Sequence, residues 1–298
     1  MQIPALRGLG PVTLLKGSID RFLDQDMATY AAALTYHILF SLFPFTIFMI
    51  ALLGFLELSN LFDWFRQQAQ TYFLEETMQQ VNQVLVQLQR RRLGLLSFGV
   101  IVALWAATSA FRATENALNV IYGVKEDRPA WKRYPGAILY TLLIGAMLLL
   151  AAGVALIGPQ AAAWLVQHGA LHQGFASLWT WWLRWPAVVL LLTFAVAVVY
   201  HVAPDVEQRF RFITPGAFIA VLVWIAASLA FHYYVRHFGR FNAMYGSVAI
   251  IMLLLVYVFL SSIVLLLGAE INVVIEHHAP GGKHPGQKTM RSDHVHRN

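Results

Sequence analysis

Few side chains in this 298-residue chain have both the chemistry and the apolar surroundings to make a functional site, and they fall in four places. The first is Tyr36-His37 followed by Ser41-Leu42-Phe43-Pro44. Proline has no N–H, so a helix through Pro44 leaves the Phe40 carbonyl without its partner and is expected to kink. Ser41 is placed to satisfy part of the freed backbone. Tyr36 and His37 then either pack in a bent helix or line a cavity, since polar groups in lipid face protein or water. The second place is Thr108, Arg112, Glu115, Asn119 and Tyr122. Spacings of four, three, four and three put all five on one helix face. Arg112 and Glu115 are expected to pair at i, i+3. The stripe is either a structural clamp or a seat for an ion or an anionic head group.

The third place is the polar connection Arg236, His237, Gly239, Arg240, Asn242, Tyr245, Gly246. Asn242 or Ser247 can cap the helix that follows, and helix N-termini attract anions. Arg236 and Arg240 are candidates for an anionic head group, by ordinary contact with lipid phosphate or with a translocated anionic substrate. Asn242, Tyr245 and Gly246 join the candidates for a substrate path. The fourth place is Glu270, with Asn272 two residues on. An apolar helix over Gly246–Ile275 extends about 45 Å at 1.5 Å per residue, beyond the bilayer core of about 30 Å. Glu270 therefore lies at the interface, or it turns inward as a proton or cation site.

The same inventory argues against catalysis. With no cysteine there is no thiol chemistry and no Cys-based metal site. Of the 11 histidines, His277, His278, His284, His294 and His296 crowd the C-terminal tail without the rigid spacing of a metal motif. No P-loop, nucleophile elbow or dinucleotide fingerprint occurs. Asp205 and Glu207 are close, but two carboxylates in a short loop are expected to be simply solvated. No catalytic residue, metal or cofactor is expected.

The elements that must carry these residues are membrane helices. Hydrophobic residues make up 58% of the chain and charged ones 12%, about half the charged share of a soluble domain. No acidic residue lies between Asp127 and Asp205, and no Lys or Arg between Arg133 and Arg184. Such a stretch cannot face water. Six segments have the roughly 20 apolar residues that a span needs: about 31–56, 93–111, 136–158, 182–202, 214–235 and 246–275. The fold class is an all-α membrane protein, a six-transmembrane-helix bundle with additional interfacial amphipathic helices. Residues 1–279 read as a single transmembrane domain and 280–298 as a basic, His-rich, disordered tail. There is no internal repeat, and no removable signal peptide is expected within residues 1–30.

Charge gives the spans a direction. Fourteen of the 21 Lys and Arg fall in the N-terminal segment, the second and fourth connections and the tail, which places both termini in the cytoplasm. The net charge of +6 thus reflects that bias and not a nucleic-acid partner. Arg90, Arg91 and Arg92 are exceptions on the outer side. Trp164, Trp179, Trp181, Trp182 and Trp185 mark the outer interface, where indole rings anchor. Leu14, Leu15, Ile19, Phe22 and Leu23 recur at helical spacing among Asp20, Asp24 and Asp26, as expected for a helix lying on the cytoplasmic interface. Val81, Val84, Leu85 and Leu88 predict a second amphipathic element within about 61–89.

These motifs resemble a known family. Ala31-Ala32-Ala33-Leu34-Thr35-Tyr36 with Ser41-Leu42-Phe43-Pro44 resembles the first-span signature of the YihY/BrkB family of bacterial inner-membrane proteins. Asn119-Val120-Ile121-Tyr122-Gly123-Val124 with Arg128-Pro129 is similar to its second signature. Pro215-Gly216-Ala217, Tyr245-Gly246-Ser247 and Leu267-Gly268-Ala269-Glu270-Ile271-Asn272 complete the set. The resemblance covers roughly residues 15–276 and leaves out the tail. It implies a six-span inner-membrane fold with both ends inside. Family members have carried the label ribonuclease BN, a tRNA-processing enzyme, and others are linked to serum resistance or to export of envelope lipid or lipopolysaccharide. A hydrolytic ribonuclease needs an acid–base pair or clustered metal ligands, and the short cytoplasmic connections hold neither. The leading expectation is a non-enzymatic transporter or translocation factor for an amphiphilic or anionic envelope molecule such as a lipid. The alternatives are the ribonuclease and a structural partner in an envelope complex. Membrane lipids are the expected partners, a homo-oligomer is possible, and no nucleic acid is expected.

Overall fold

A computed structural model describes residues 10–55, 78, 93–168, 172–206, 214–238 and 247–278. These residues contain helices and no strand. The helices are α1 (Pro11–Asp24), α2 (Met27–Phe55), α3 (Leu93–Ile121), α4 (Ala130–Leu156), α5 (Gly158–Gln167), α6 (Gln173–Leu178), α7 (Arg184–Val202), α8 (Pro215–Phe238) and α9 (Ser247–His277). A π-helical turn, Trp179–Leu183, joins α6 to α7. Helices α2, α3, α4, α7, α8 and α9 are each long and apolar enough to cross a bilayer. The all-α, six-span fold class holds. The second apolar segment runs on to Ile121, so the polar stripe is the last part of the same helix. The element expected within 61–89, Arg90–Arg92 and the tail 280–298 lie outside the described residues.

The chain divides into two compact units, one of Met1–Thr35 with Phe111–Asn298, the other of Tyr36–Ala110. In the larger unit α8 packs on α9, α4 on α7, α7 on α8, and α1 on α9. The core gathers where these helices end near Ile121, Val202 and His277. It includes Leu34, Leu118, Ile121, Tyr200, Leu266 and Val273. Elsewhere the same helices turn large apolar side chains outward, among them Leu139, Leu142 and Leu149 on α4 and Ile251, Met252 and Leu255 on α9. In water such a surface would aggregate; in a bilayer it is the solvent-facing surface.

Two glycines set the α8–α9 approach. A Cβ on Gly216 would lie 2.6 Å from Asn272 Oδ1 and closer still to the Gly268 carbonyl. A Cβ on Gly268 would lie 2.6 Å from Ala220 Cβ. Small residues let membrane helices pack backbone to backbone, where apolar burial gives no drive. Helix α1 is tied to α2 through Gln25 and Asp26, and Asp26 adopts φ 52°, a conformation that Asp tolerates better than most residues. Its carboxylate then accepts from Thr29 Oγ1 at 2.7 Å in the first turn of α2.

In the smaller unit α2 runs unbroken through Pro44. Ser41 Oγ donates to the Ile38 carbonyl at 2.7 Å, so it does not satisfy the Phe40 carbonyl as expected. A serine hydroxyl in a helix reaches back toward the preceding turn. Gly99 brings α3 close to α2, where an added Cβ would sit 3.4 Å from Phe48 Cα.

Candidate functional site

The polar residues of the larger unit form three groups near one end of the helices. The first is built around Glu115, whose side chain is 1% exposed. Glu115 Oε2 accepts from Arg133 Nε at 3.0 Å, and Oε1 lies 3.7 Å from Arg128 Nη2. The expected pairing with Arg112 does not form. Arg133, from the first turn of α4, meets Glu115 directly, and a cation three residues before its acid is the weaker local order. Arg112 instead places its guanidinium over the Tyr134 ring, 4.2 Å from the centroid.

Arg128 extends the group. Its Nε and Nη2 each donate to Glu126 at 2.7 Å, and Nη2 also donates to the Ala203 carbonyl at the end of α7 at 2.9 Å. Asn119 bridges the same segments: Nδ2 donates to Glu126 at 3.0 Å and Oδ1 accepts from the Asp205 backbone N–H at 2.7 Å. Asp205, expected to be merely solvated, accepts from the Asp127 N–H at 3.1 Å and lies 3.8 Å from Arg128. Partial burial opposes ionisation of Glu126. The hydrogen bonds from Arg128 and Asn119 and the Arg128 charge outweigh it and hold the carboxyl at about 2, below the ordinary 4.5. The bond to Glu126 in turn raises the Arg128 pKa, against some desolvation. Tyr122, the last member of the stripe, is buried in the apolar core.

The second group is the Glu270 pair. Glu270 is fully buried and accepts from Arg21 Nε at 2.9 Å. Arg21 Nη2 donates to the Ile121 carbonyl at 2.9 Å. With its amide oriented so that both ends are satisfied, Gln25 donates to Glu270 Oε1 at 3.3 Å and to the Val120 carbonyl at 3.2 Å. One arginine on a short amphipathic helix thus ties together α1, the end of α3 and α9. Helix α1 can hold it there because Leu14, Ser18 and Phe22 are buried on the same side. Glu270 is thus turned into the protein near the end of α9, with an arginine as its partner.

In the third group, Asn272 caps α8. Its Oδ1 accepts from the Gly216 N–H at 2.8 Å and Nδ2 donates to Thr214 Oγ1 at 3.0 Å. Two of the N–H groups that every helix start leaves open are met, the other through Thr214 and Ala217 at 3.3 Å. Deeper along the same helices, Trp224 Nε1 donates to Ser261 Oγ at 3.0 Å, and Ser228 Oγ meets Tyr257 OH at 3.1 Å. The sequence gives no clear sign of these two pairs, since lone serines in apolar runs usually bond their own helix.

The remaining candidates stand apart. In the smaller unit His37 Nδ1 is 3.1 Å from Ser109 Oγ, and Tyr36 stacks on Phe40 at 6.1 Å between centroids. Thr108 Oγ1 is buried without a partner among the described residues. Arg236 is exposed near the end of α8, while Arg240, Asn242, Tyr245 and Gly246 lie outside the described residues. Arg21 and Arg133, which sequence reasoning counted only as cytoplasmic charge, and Arg128, which it met otherwise only in a family motif, hold the site together. A signal was present: Glu115 is the one acid of α3, Glu270 lies in the apolar run of α9 ahead of Glu276 in its last turn, and an acid so placed requires a cation. Among the described residues no cluster of three or more His, Asp or Glu has a geometry that would hold a metal ion.

Residues 18–293 match the family described as virulence factor BrkB, which reaches further into the tail than the 15–276 expected from motifs. The chain is 32% identical over 265 residues to the putative ribonuclease-like protein YfkH of Bacillus subtilis, covering 89% of this chain and 95% of that one. It is 30% identical over 261 residues to a UPF0761 membrane protein of Chromohalobacter salexigens, covering 86% of this chain and 62% of the relative. A UPF0761 membrane protein of Tolumonas auensis is 26% identical over 263 residues. No solved structure matches. The chain is a multi-pass membrane protein of the BrkB family.

Proposed function

We propose that this protein is a non-enzymatic factor of the bacterial inner membrane, with both termini cytoplasmic, that moves or positions an amphiphilic or anionic envelope molecule such as a lipid. The observation that carries the proposal is the Arg21–Glu270 pair. A buried charge pair is a weak source of stability, because desolvation of both ions offsets their attraction. Intramembrane ionisable groups mark pathways and relays. Here the pair joins a non-spanning helix to the last span, beside an apolar contact of Leu14 with Ile271, Val274 and Ile275, so separating it weakens the hold of α1 on α9. The asymmetry of Lys and Arg supports the orientation.

The direct test is reconstitution into vesicles carrying labelled lipids of several classes, with leaflet distribution followed over time. Faster redistribution than in protein-free vesicles for at least one class is expected. No effect in any class counts against the proposal. The printed name of the Bacillus relative favours a second possibility, a ribonuclease. Against it, the carboxylates Glu115, Glu126 and Glu270 are each engaged by arginine, which leaves none of them placed as a free base. Metal-dependent cleavage of tRNA precursors by nuclease-free protein would revive it.

A further inference from the structure

At the start of α4, two aromatic rings and two cations make a surface that the groups above do not use. Trp131 and Tyr134 are both exposed, 72% and 47%, and i, i+3 spacing puts them on one helix face. Each carries a cation: Lys132 Nζ lies 4.9 Å from the Trp131 ring centroid, and Arg112, from α3, lies 4.2 Å from that of Tyr134. Neither Arg112 nor Lys132 forms an ion pair among the described residues, although Arg128 and Arg133 nearby have two or more carboxylates each. Arg112 Nε is moreover buried without a hydrogen-bond partner.

The depth is that of an interface. Arg112 sits about 14 Å before the end of α3 and Tyr134 about 6 Å into α4, at 1.5 Å per residue. At that level an arginine stacked on an aromatic ring, with N–H groups unspent, needs an anion from the bilayer side. The carboxylates Glu115 and Glu126 are already engaged by Arg128 and Arg133. Exposed Trp and Tyr are the residues that settle at head-group level.

We propose that Arg112, Lys132, Trp131 and Tyr134 form a binding site for the phosphate head group of an anionic phospholipid. The cations engage the phosphate, and the rings hold the glycerol and upper acyl region. The site is independent of lipid movement: occupancy without redistribution leaves it intact and removes only the transport proposal. The test is native mass spectrometry of the detergent-purified full chain with added phosphatidylglycerol or phosphatidylethanolamine, and with glycerol 3-phosphate as competitor. Wild type is expected to hold one phosphatidylglycerol about ten-fold more tightly than phosphatidylethanolamine. Arg112→Gln and Lys132→Gln should each weaken it about five-fold, on the scale of one basic residue at an anionic surface. Lys132 is exposed at the first turn, so its variant tests the site even if the Arg112 variant fails to fold. Equal binding of the two lipids, unchanged binding by the Lys132 variant, or displacement by glycerol 3-phosphate at matched concentration would overturn the proposal.

Discussion

Glu115 and Glu270 are both carboxylates sealed near the end of a membrane helix, yet they are held in opposite ways. Glu115 faces two arginines, Arg133 at 3.0 Å and Arg128 at 3.7 Å, and both also serve Glu126. Glu270 faces one arginine, Arg21, supported only by the Gln25 amide. Arg128 and Arg133 lie on the connection that follows α3 and on the first turn of α4. Arg21 comes from α1, which spans nothing and keeps Val12, Leu15, Ile19 and Leu23 exposed. A shared network survives the loss of one member, and that is how a clamp is built. A single pair has no second arginine in reserve, and that is how a latch is built.

The difference makes graded predictions. The largest effect belongs to Arg21→Ala, which leaves a fully buried carboxylate without its arginine. Breaking a buried pair from one side costs about 3–5 kcal/mol, and the variant should unfold at a clearly lower temperature in detergent. Replacing both partners, as Arg21→Met with Glu270→Leu, should recover most of that stability. Recovered stability with lost function would mark a latch; recovery of both would reduce the pair to packing. Arg133→Ala should cost less, about 1–3 kcal/mol, because Arg128 remains within reach of Glu115. If it costs as much as Arg21→Ala, the contrast between shared and single pairing fails.

The smallest effect is the pH response of Glu126. Its folded pKa of about 2 lies below the ordinary 4.5, so folding favours its charged form. The stability it contributes is present above about pH 4.5 and is lost as pH falls toward 2. Thermal unfolding followed from pH 6 to pH 2 should show that loss in the wild type and a flatter curve in Glu126→Gln. Equal slopes would remove Glu126 from the clamp.

Much of this was legible in the sequence, for physical reasons that differ by feature. The six spans follow from apolar length alone, because lipid imposes one simple requirement on every residue of a span. The amphipathic α1 was legible from its periodicity, and the stripe from Thr108 to Tyr122 from its spacing. The partners were not. Arg112 with Glu115 is the pair that local spacing offers, whereas Arg133 reaches Glu115 from the first turn of α4, which one helix cannot reveal. Arg21 lies 249 residues from Glu270, and only α1 folding back on α9 brings them together. Asp205 seemed solvated because its loop is short, but the Asn119 side chain, from α3, accepts from its backbone N–H, and the Asp127 N–H, from the connection after α3, donates to its carboxylate.

We propose that the Glu270 pair is functional while the Glu115 network is structural. The most direct measurement is leaflet redistribution of labelled phospholipid in vesicles holding wild type, Glu270→Gln or Glu115→Gln, each checked for thermal stability. At least a ten-fold change in rate is expected for Glu270→Gln with its fold retained. For Glu115→Gln the expected change is no larger than its loss of folded protein. A Glu270→Gln protein that moves lipid at the wild-type rate would contradict it.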